Sequence, residues 1–170
     1  NFRIAKKENL IIYELLLRDF ARQSGNAWGD VKEAGKRISY LKSLGVNAVE
    51  LMPTLEFSNN ESWGYNPSAS CFAMDPAYGT DADYKAFIDE CHRQGIAVIL
   101  DVVYNHTDNH PFVKLFYDSS TGKSSANNPW MNAVDPSQYG FFNDFDHSSP
   151  LTRAYVKRSL QYLLREFRFD

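Results

Sequence analysis

Asp101, Asn105 and His106 stand in the spacing D-x-x-x-N-H, directly after the apolar run Ile96-Ala97-Val98-Ile99-Leu100. A carboxylate so close to an apolar stretch is expensive to bury unless something pairs with it. Asp101 is therefore expected to hydrogen-bond either a ligand or the protein's own amides and arginines. The neutral imidazole of His106 can donate from one nitrogen while a neighbour fixes the other. A second chemistry is also open. Asp101, His106 and His110 offer one carboxylate and two imidazoles, a set that can hold a catalytic zinc. The two histidines follow the run in a loop with Pro111, which does not itself present them on one side.

The elements that position these residues follow from the hydrophobic pattern. Ile96 to Tyr104 reads as a strand buried on both faces, as in a parallel sheet. Two earlier strands are expected, at Asn9-Leu10-Ile11-Ile12-Tyr13-Glu14-Leu15-Leu16-Leu17 and at Val46-Asn47-Ala48-Val49-Glu50-Leu51, the latter closed by Pro53. A loop with Gly25, Asn26 and Gly29 follows the first strand. A helix is predicted from about Val31 to Ser43, capped by Asp30, with Ala34, Ile38 and Leu41 buried and Gly45 as its stop. A long aromatic loop runs from Thr54 to Gly79. Thr80 and Asp83 then form a capping-box pattern, opening a helix with Tyr84, Phe87, Ile88 and Cys91 on one face and a stop at Gly95. From Thr107 to Ser148 no period is sustained, as in a functional loop or a small inserted subdomain. Pro150 opens a last helix behind Ser149, whose buried stripe is predicted at Val156, Leu160, Leu163, Leu164 and Phe167. Arg168-Phe169-Asp170 begins a fourth strand.

Strands alternating with helices argue for an α/β fold with a parallel sheet. Periodicity leaves two architectures open, a doubly wound sheet and part of a (β/α)8 barrel, which takes about 250 residues. No glycine-rich phosphate loop follows any strand, which speaks against a nucleotide site. The chain's 170 residues, 44% of them hydrophobic, suffice for one sizeable core. A net charge of −3 leaves no basic footprint for nucleic acid, and no apolar run is long enough to span a membrane. Nothing in the sequence sets the compartment. Two cysteines, Cys71 and Cys91, make no disulfide framework and are expected as buried thiols. The aromatic fraction, 15%, fills a core or supplies flat platforms for a sugar.

Five segments in order carry a family resemblance. Asp101-Val102-Val103-Tyr104-Asn105-His106 resembles the signature that ends the third barrel strand in the alpha-amylase superfamily, glycoside hydrolase family 13. Trp63-Gly64-Tyr65-Asn66-Pro67 is similar to the segment after the second strand. Phe72-Ala73-Met74-Asp75-Pro76-Ala77-Tyr78-Gly79-Thr80 resembles the piece that follows, and Ile12-Tyr13-Glu14-Leu15 the first strand. Phe142-Asn143-Asp144-Phe145-Asp146 resembles the P-D-L-N-type segment near the end of the inserted B region, with Asn143 where proline is common and Asp146 where asparagine is common. The resemblance implies a partial TIM barrel: the first three βα units plus the start of strand four, with a long insertion after strand three. Residues 1–106 then hold three strands and two helices, 107–148 the inserted B-type region, and 149–170 the third helix and the start of strand four.

The resemblance also implies roles. Asp101 orders the sugar subsite, His106 hydrogen-bonds the glucosyl unit at the cleavage point, and Tyr65 stacks on it. Trp63 and Trp28 are expected to pack. Asn105 and Asp144 correspond to two ligands of a calcium ion found in many members. The implied reaction is retaining cleavage or transfer of α-1,4 or α-1,6 glucosidic bonds in starch, maltooligosaccharide or pullulan, using a carboxylate nucleophile and a carboxylic acid/base. Asp170 is open to two readings: the nucleophile of an F-R-x-D segment, or the first residue of strand four with that segment yet to come. Spacing favours the second. The isolated chain is accordingly expected to be an inactive portion of a glycoside hydrolase and to self-associate through its open sheet edge. The alternatives are a metal-dependent hydrolase using Asp101, His106 and His110, and a non-catalytic carbohydrate-binding module.

Overall fold

A computed structural model describes residues 2–23, 28–57, 64–67, 70–136, 140 and 142–170. The loop expected at Gly25 and Asn26 and the packing expected of Trp63 lie outside the described residues. The chain divides into two compact units. One comprises Asn1–Thr54, Met74–Val102 and Tyr162–Asp170; the other comprises Leu55–Ala73 and Val103–Gln161.

The first unit is built on three short parallel strands: β1 (Ile12–Leu15), β2 (Ala48–Leu51) and β3 (Ala97–Leu100). They lie in the order β1-β2-β3, with Ile12 beside Ala48 and Ala48 beside Ala97. Each strand is shorter than its apolar run predicts. The last bond of the β2–β3 ladder runs from the Asp101 amide to the Leu51 carbonyl. Past it β2 enters Pro53, which has no amide to donate, so the predicted strand to Tyr104 ends at Leu100. β1 is the free edge, and Ile11 and Ile12 are 57% and 45% exposed there.

A short α1 (Leu17–Phe20) follows β1. Gly29 lies so close to it that an added Cβ would come within 2.5–2.7 Å of Ala21 and the Leu17 carbonyl, so only glycine fits. The single helix predicted over Val31–Ser43 is two, α2 (Val31–Gly35) and α3 (Ile38–Ser43). They part at Lys36 and Arg37, just past Gly35, a poor residue for a helix interior. The Arg37 guanidinium bonds the Phe20 and Arg22 carbonyls instead of extending from a regular helix. Asp30 caps α2 through the Glu33 amide, as expected. α4 (Asp81–Arg93) opens on the predicted capping box: Thr80 Oγ1 accepts from the Asp83 amide, and the Asp83 carboxylate accepts from the Thr80 amide. Tyr84, Phe87, Ile88 and Cys91 are its buried face, as the spacing predicts. Gly95, with φ +76°, takes the left-handed turn that ends it.

The second unit has no long strands. β4 (His106–Thr107), α5 (Pro111–Leu115), β5 (Tyr117–Asp118), β6 (Lys123–Ser124) and β7 (Asn143–Asp144) lead to α6 (Pro150–Tyr162). β4 pairs antiparallel with β7 and β5 with β6. Val113, Met131 and Phe145 form a small core, with Phe112 and Trp130 packed on it. The rings of Phe112 and Trp130 stack at 4.4 Å. The stripe predicted for the last helix holds at Leu163 and Phe167, which are buried, and fails at Leu160 and Leu164, which are 39% and 51% exposed; Val156 is half-buried, and Thr152 and Ser159 are buried instead. Thr152 and Ser159 are buried because their hydroxyls bond the Trp130 and Cys71 carbonyls. The helix then loosens into a wide turn over Leu163–Phe167, part of the first unit, and Arg168 ends it in the left-handed region at φ +64°. Cys71 and Cys91 are buried free thiols. Burial pushes them up to about 11 and about 12, so neither is a nucleophile at neutral pH. Among the described residues no helix is long and apolar enough to cross a membrane.

Candidate substrate-binding site

In the first unit Asp101 is the residue immediately after β3, at the strand's C-terminal end, and is half-buried. Its backbone amide closes the ladder on the Leu51 carbonyl. Asp170 is placed differently. Its amide donates to the Val98 carbonyl at 2.9 Å, and its carboxylate accepts from the Val98 amide at 2.9 Å. The same oxygen lies 2.8 Å from His92 Nε2, and the His92 ring stacks on Phe2 at 4.3 Å. Asp170 thus lies beside β3 at Val98, three residues before Asp101, but residues 168–170 form no strand, so the fourth strand expected at Arg168-Phe169-Asp170 is not formed here.

The second unit brings Tyr65, Asn105, His106 and Asp144 together. His106 Nδ1 accepts from the Asn105 amide at 3.1 Å, which leaves Nε2–H to donate to the Tyr65 carbonyl at 3.0 Å. This is the tautomer expected of a histidine fixed on one side and donating on the other, with a backbone carbonyl as acceptor. Tyr65 is 40% exposed. His106 sits opposite Asp144 in the β4–β7 ladder, and the Asn105 carbonyl accepts from the Phe145 amide. The Asp144 carboxylate is buried and accepts from the Asn132 amide at 2.6 Å.

His110 corrects the zinc reading. It is 3% exposed, and both ring nitrogens are engaged. Nδ1 accepts from the Phe112 amide and so caps α5, while Nε2 donates to the Tyr155 hydroxyl at 2.8 Å. Phe112, Phe145 and Tyr155 surround the ring, and burial pushes its pKa down to about 4. Among the described residues no three His, Cys, Asp or Glu side chains stand together as a metal site. The pattern that gave the zinc reading also contained its contrary signal: His-Pro at a helix start is the spacing of an imidazole N-cap.

Residue type and spacing assign no role to Tyr155 or Asn143. The Tyr155 hydroxyl also accepts from the Cys71 amide. Asn143 is a buried hub: its side-chain oxygen accepts from the Ser124 amide, and its nitrogen donates to the Thr107 and Asp108 carbonyls. Thr107 in turn donates to the Pro67 carbonyl at 2.6 Å. These bonds hold β4, and with it His106, against β7 and the Tyr65 segment. The departure from proline at position 143 was the available signal, since an amide there can do what proline cannot.

The first unit, consecutive parallel strands with helical crossovers and a polar strand mouth, has the pattern of consecutive staves of a βα barrel. Comparison with known proteins supports this. The model of the alpha amylase catalytic domain matches residues 14–166. Malto-oligosyltrehalose trehalohydrolase of Saccharolobus solfataricus is 32% identical over 168 residues, covering 97% of this chain and 27% of the relative. Isoamylase SU1 of Zea mays is 32% identical, with 96% and 24% covered. The crystal structure of the group B Streptococcus pullulanase SAP in complex with maltotetraose superposes with a TM-score of 0.75 at 27% identity, covering 99% of this chain and 25% of that one. The chain belongs to the alpha-amylase catalytic-domain family, and its fold is part of that family's barrel. It spans about a quarter of the length of these relatives.

Proposed function

We propose that this chain is the first part of the catalytic barrel of a retaining α-glucan-active glycoside hydrolase, and that its contribution is to bind sugar. The observation that carries the reading is the Asn105–His106–Tyr65 arrangement, in which a tautomer-fixed Nε2–H bonds the backbone carbonyl of Tyr65, an aromatic residue that is 40% exposed. A glucosyl hydroxyl replaces the Tyr65 carbonyl as acceptor of that proton, and the sugar's apolar face lies on the Tyr65 ring. Asp101 accepts a hydroxyl at the end of β3. Trehalohydrolase, isoamylase and pullulanase relatives, one of them holding maltotetraose, support an α-glucan without choosing between α-1,4 and α-1,6 bonds.

Cleavage with retention takes two carboxyl groups about 5–5.5 Å apart, a nucleophile and an acid/base. Asp170 serves neither role here, since its carboxylate is committed to the Val98 amide and His92. We therefore assign both roles to the rest of the barrel and expect the 170-residue chain to be inactive alone. A calcium ion takes six to eight oxygen ligands. Asn105 and Asp144 offer two side chains, one exposed and one buried and bonded to Asn132. Two side chains fall short of such a shell. The exposed β1 edge favours association of the isolated chain.

The test is reducing-sugar release from soluble starch by this chain and by a longer protein carrying it through all eight strands. Activity in the longer protein only, lost in His106→Ala, is the expected result. Turnover by the 170-residue chain alone would overturn the assignment of the carboxyl groups. Sugar binding without turnover in both would favour a binding module.

A further inference from the structure

Beside His106 lies a second exposed ring to which the reading above gives no role. Phe142 is 48% exposed, and its ring centroid is 5.8 Å from that of His106, tilted by 32°. Its backbone is left-handed, with φ +49°. In that region a Cβ crowds the backbone, and glycine is the residue the geometry favours. Asn143 and Asp144, which follow, are both buried in the ladder against β4. The chain therefore turns sharply at Phe142, and the turn leaves the ring outside while its neighbours go in.

A side chain at a left-handed position normally earns its place by burial. Phe142 keeps about half of its surface in water. Its ring gains little from the fold and strains the backbone, a combination found where a contact outside the chain is served. The ring stands next to an imidazole whose Nε2–H points at the Tyr65 segment. A pyranose has an apolar face of C–H groups and a rim of hydroxyls. It can place the face on an exposed phenyl ring and a hydroxyl on the adjacent imidazole.

We propose that Phe142 is a sugar platform: it stacks on a glucose unit of an α-glucan held at His106 and sets how that chain passes the site. The proposal rests on the α-glucan reading of the His106–Tyr65 arrangement and adds a specificity residue to it.

The experiment measures binding of maltoheptaose by NMR titration, and melting temperature, for the 170-residue chain and its F142G, F142L, F142W and H106A variants. A platform predicts about five- to tenfold weaker binding in F142G and F142L, and recovery of affinity in F142W. F142G should melt at the same or a higher temperature, because glycine relieves the left-handed backbone. Unchanged affinity in F142G and F142L, with binding lost in H106A, overturns the platform and leaves the glucan reading standing. Weaker binding in F142G together with a lower melting temperature, both restored by leucine, shows a packing role and also overturns it. No saturable binding by the unsubstituted chain overturns both readings.

Discussion

In the first unit the large buried side chains are mostly aliphatic, among them Leu15, Leu17, Val31, Ile38, Leu41, Val49, Leu51, Ile88 and Val98. Among the described residues Thr54 and Asp75 are its buried polar ones. In the second unit Thr107, His110, Ser124, Asn128, Asn143, Asp144, Thr152 and Ser159 are buried around a few rings. The difference follows from backbone bonding. Parallel strands and a long helix satisfy most of their own amides and carbonyls, so their side chains can be apolar. Two-residue strands cannot, and buried backbone groups must be matched. In the second unit side chains do the matching: Asn128 bonds the Phe112 carbonyl, Thr152 the Trp130 carbonyl, and Asn143 reaches three backbone groups. Packing therefore governs the first unit and hydrogen bonding the second.

The strongest test of that contrast is Ile88→Ala. The side chain is fully buried on α4, and the cavity should cost about 2–5 kcal/mol. Amide hydrogen exchange should speed up mainly over β1 to β3 and α4; equal opening of residues 103–161 would break the comparison. The next effect is acid. His110 is buried and neutral, with its pKa lowered from 6.5 to about 4. The rings of Phe112, Phe145 and Tyr155 pack around it and keep out the water that would stabilise its charged form. A base with a depressed folded pKa binds its proton first in the unfolded state. Its contribution is complete above about pH 6.5 and is lost as pH falls towards 4, amounting to about 3 kcal/mol. The second unit should loosen first in an acid titration followed by exchange or Trp130 fluorescence, and His110→Gln should flatten that pH dependence.

Smaller effects sharpen the contrast. Tyr155→Phe removes the hydroxyl shared by His110 and the Cys71 amide, leaving both buried donors unmatched, for about 1–3 kcal/mol by denaturant unfolding. An effect as small as that of an exposed substitution would mean that packing, not hydrogen bonding, holds the second unit. Thr80→Ala opens the capping box of α4 and should cost about 1 kcal/mol in the same assay, with a retained fold.

The same division explains what could be read from the sequence. The parallel strands, the face of α4 and its capping box were legible because period and cap chemistry are local. The face of α6 is legible only at its end, at Leu163 and Phe167. Hydrophobicity misses Thr152 and Ser159, which go inside to meet carbonyls whose positions depend on distant chain. The break between α2 and α3 was likewise set by Arg37 reaching the Phe20 and Arg22 carbonyls, over a Gly35 the pattern passes through. At the candidate site, His106 and Tyr65 were found together because their segments carry the family resemblance. His110 misleads because a buried N-cap and a metal ligand share one residue type, and the bond to Tyr155 spans 45 positions.

Asn143 has a consequence for how relatives of this chain diverge. Its carboxamide connects Ser124 to Thr107 and Asp108, so the hairpin of β5 and β6 and the strand bearing His106 depend on one residue. A proline there would remove all of those side-chain bonds and the backbone donor as well. A relative with proline at this position would have to seat the equivalent of residues 116–124 by other means. Residue identity at 143 and the length of that hairpin should therefore be inherited as a pair, and an alignment of sequences would show them changing together.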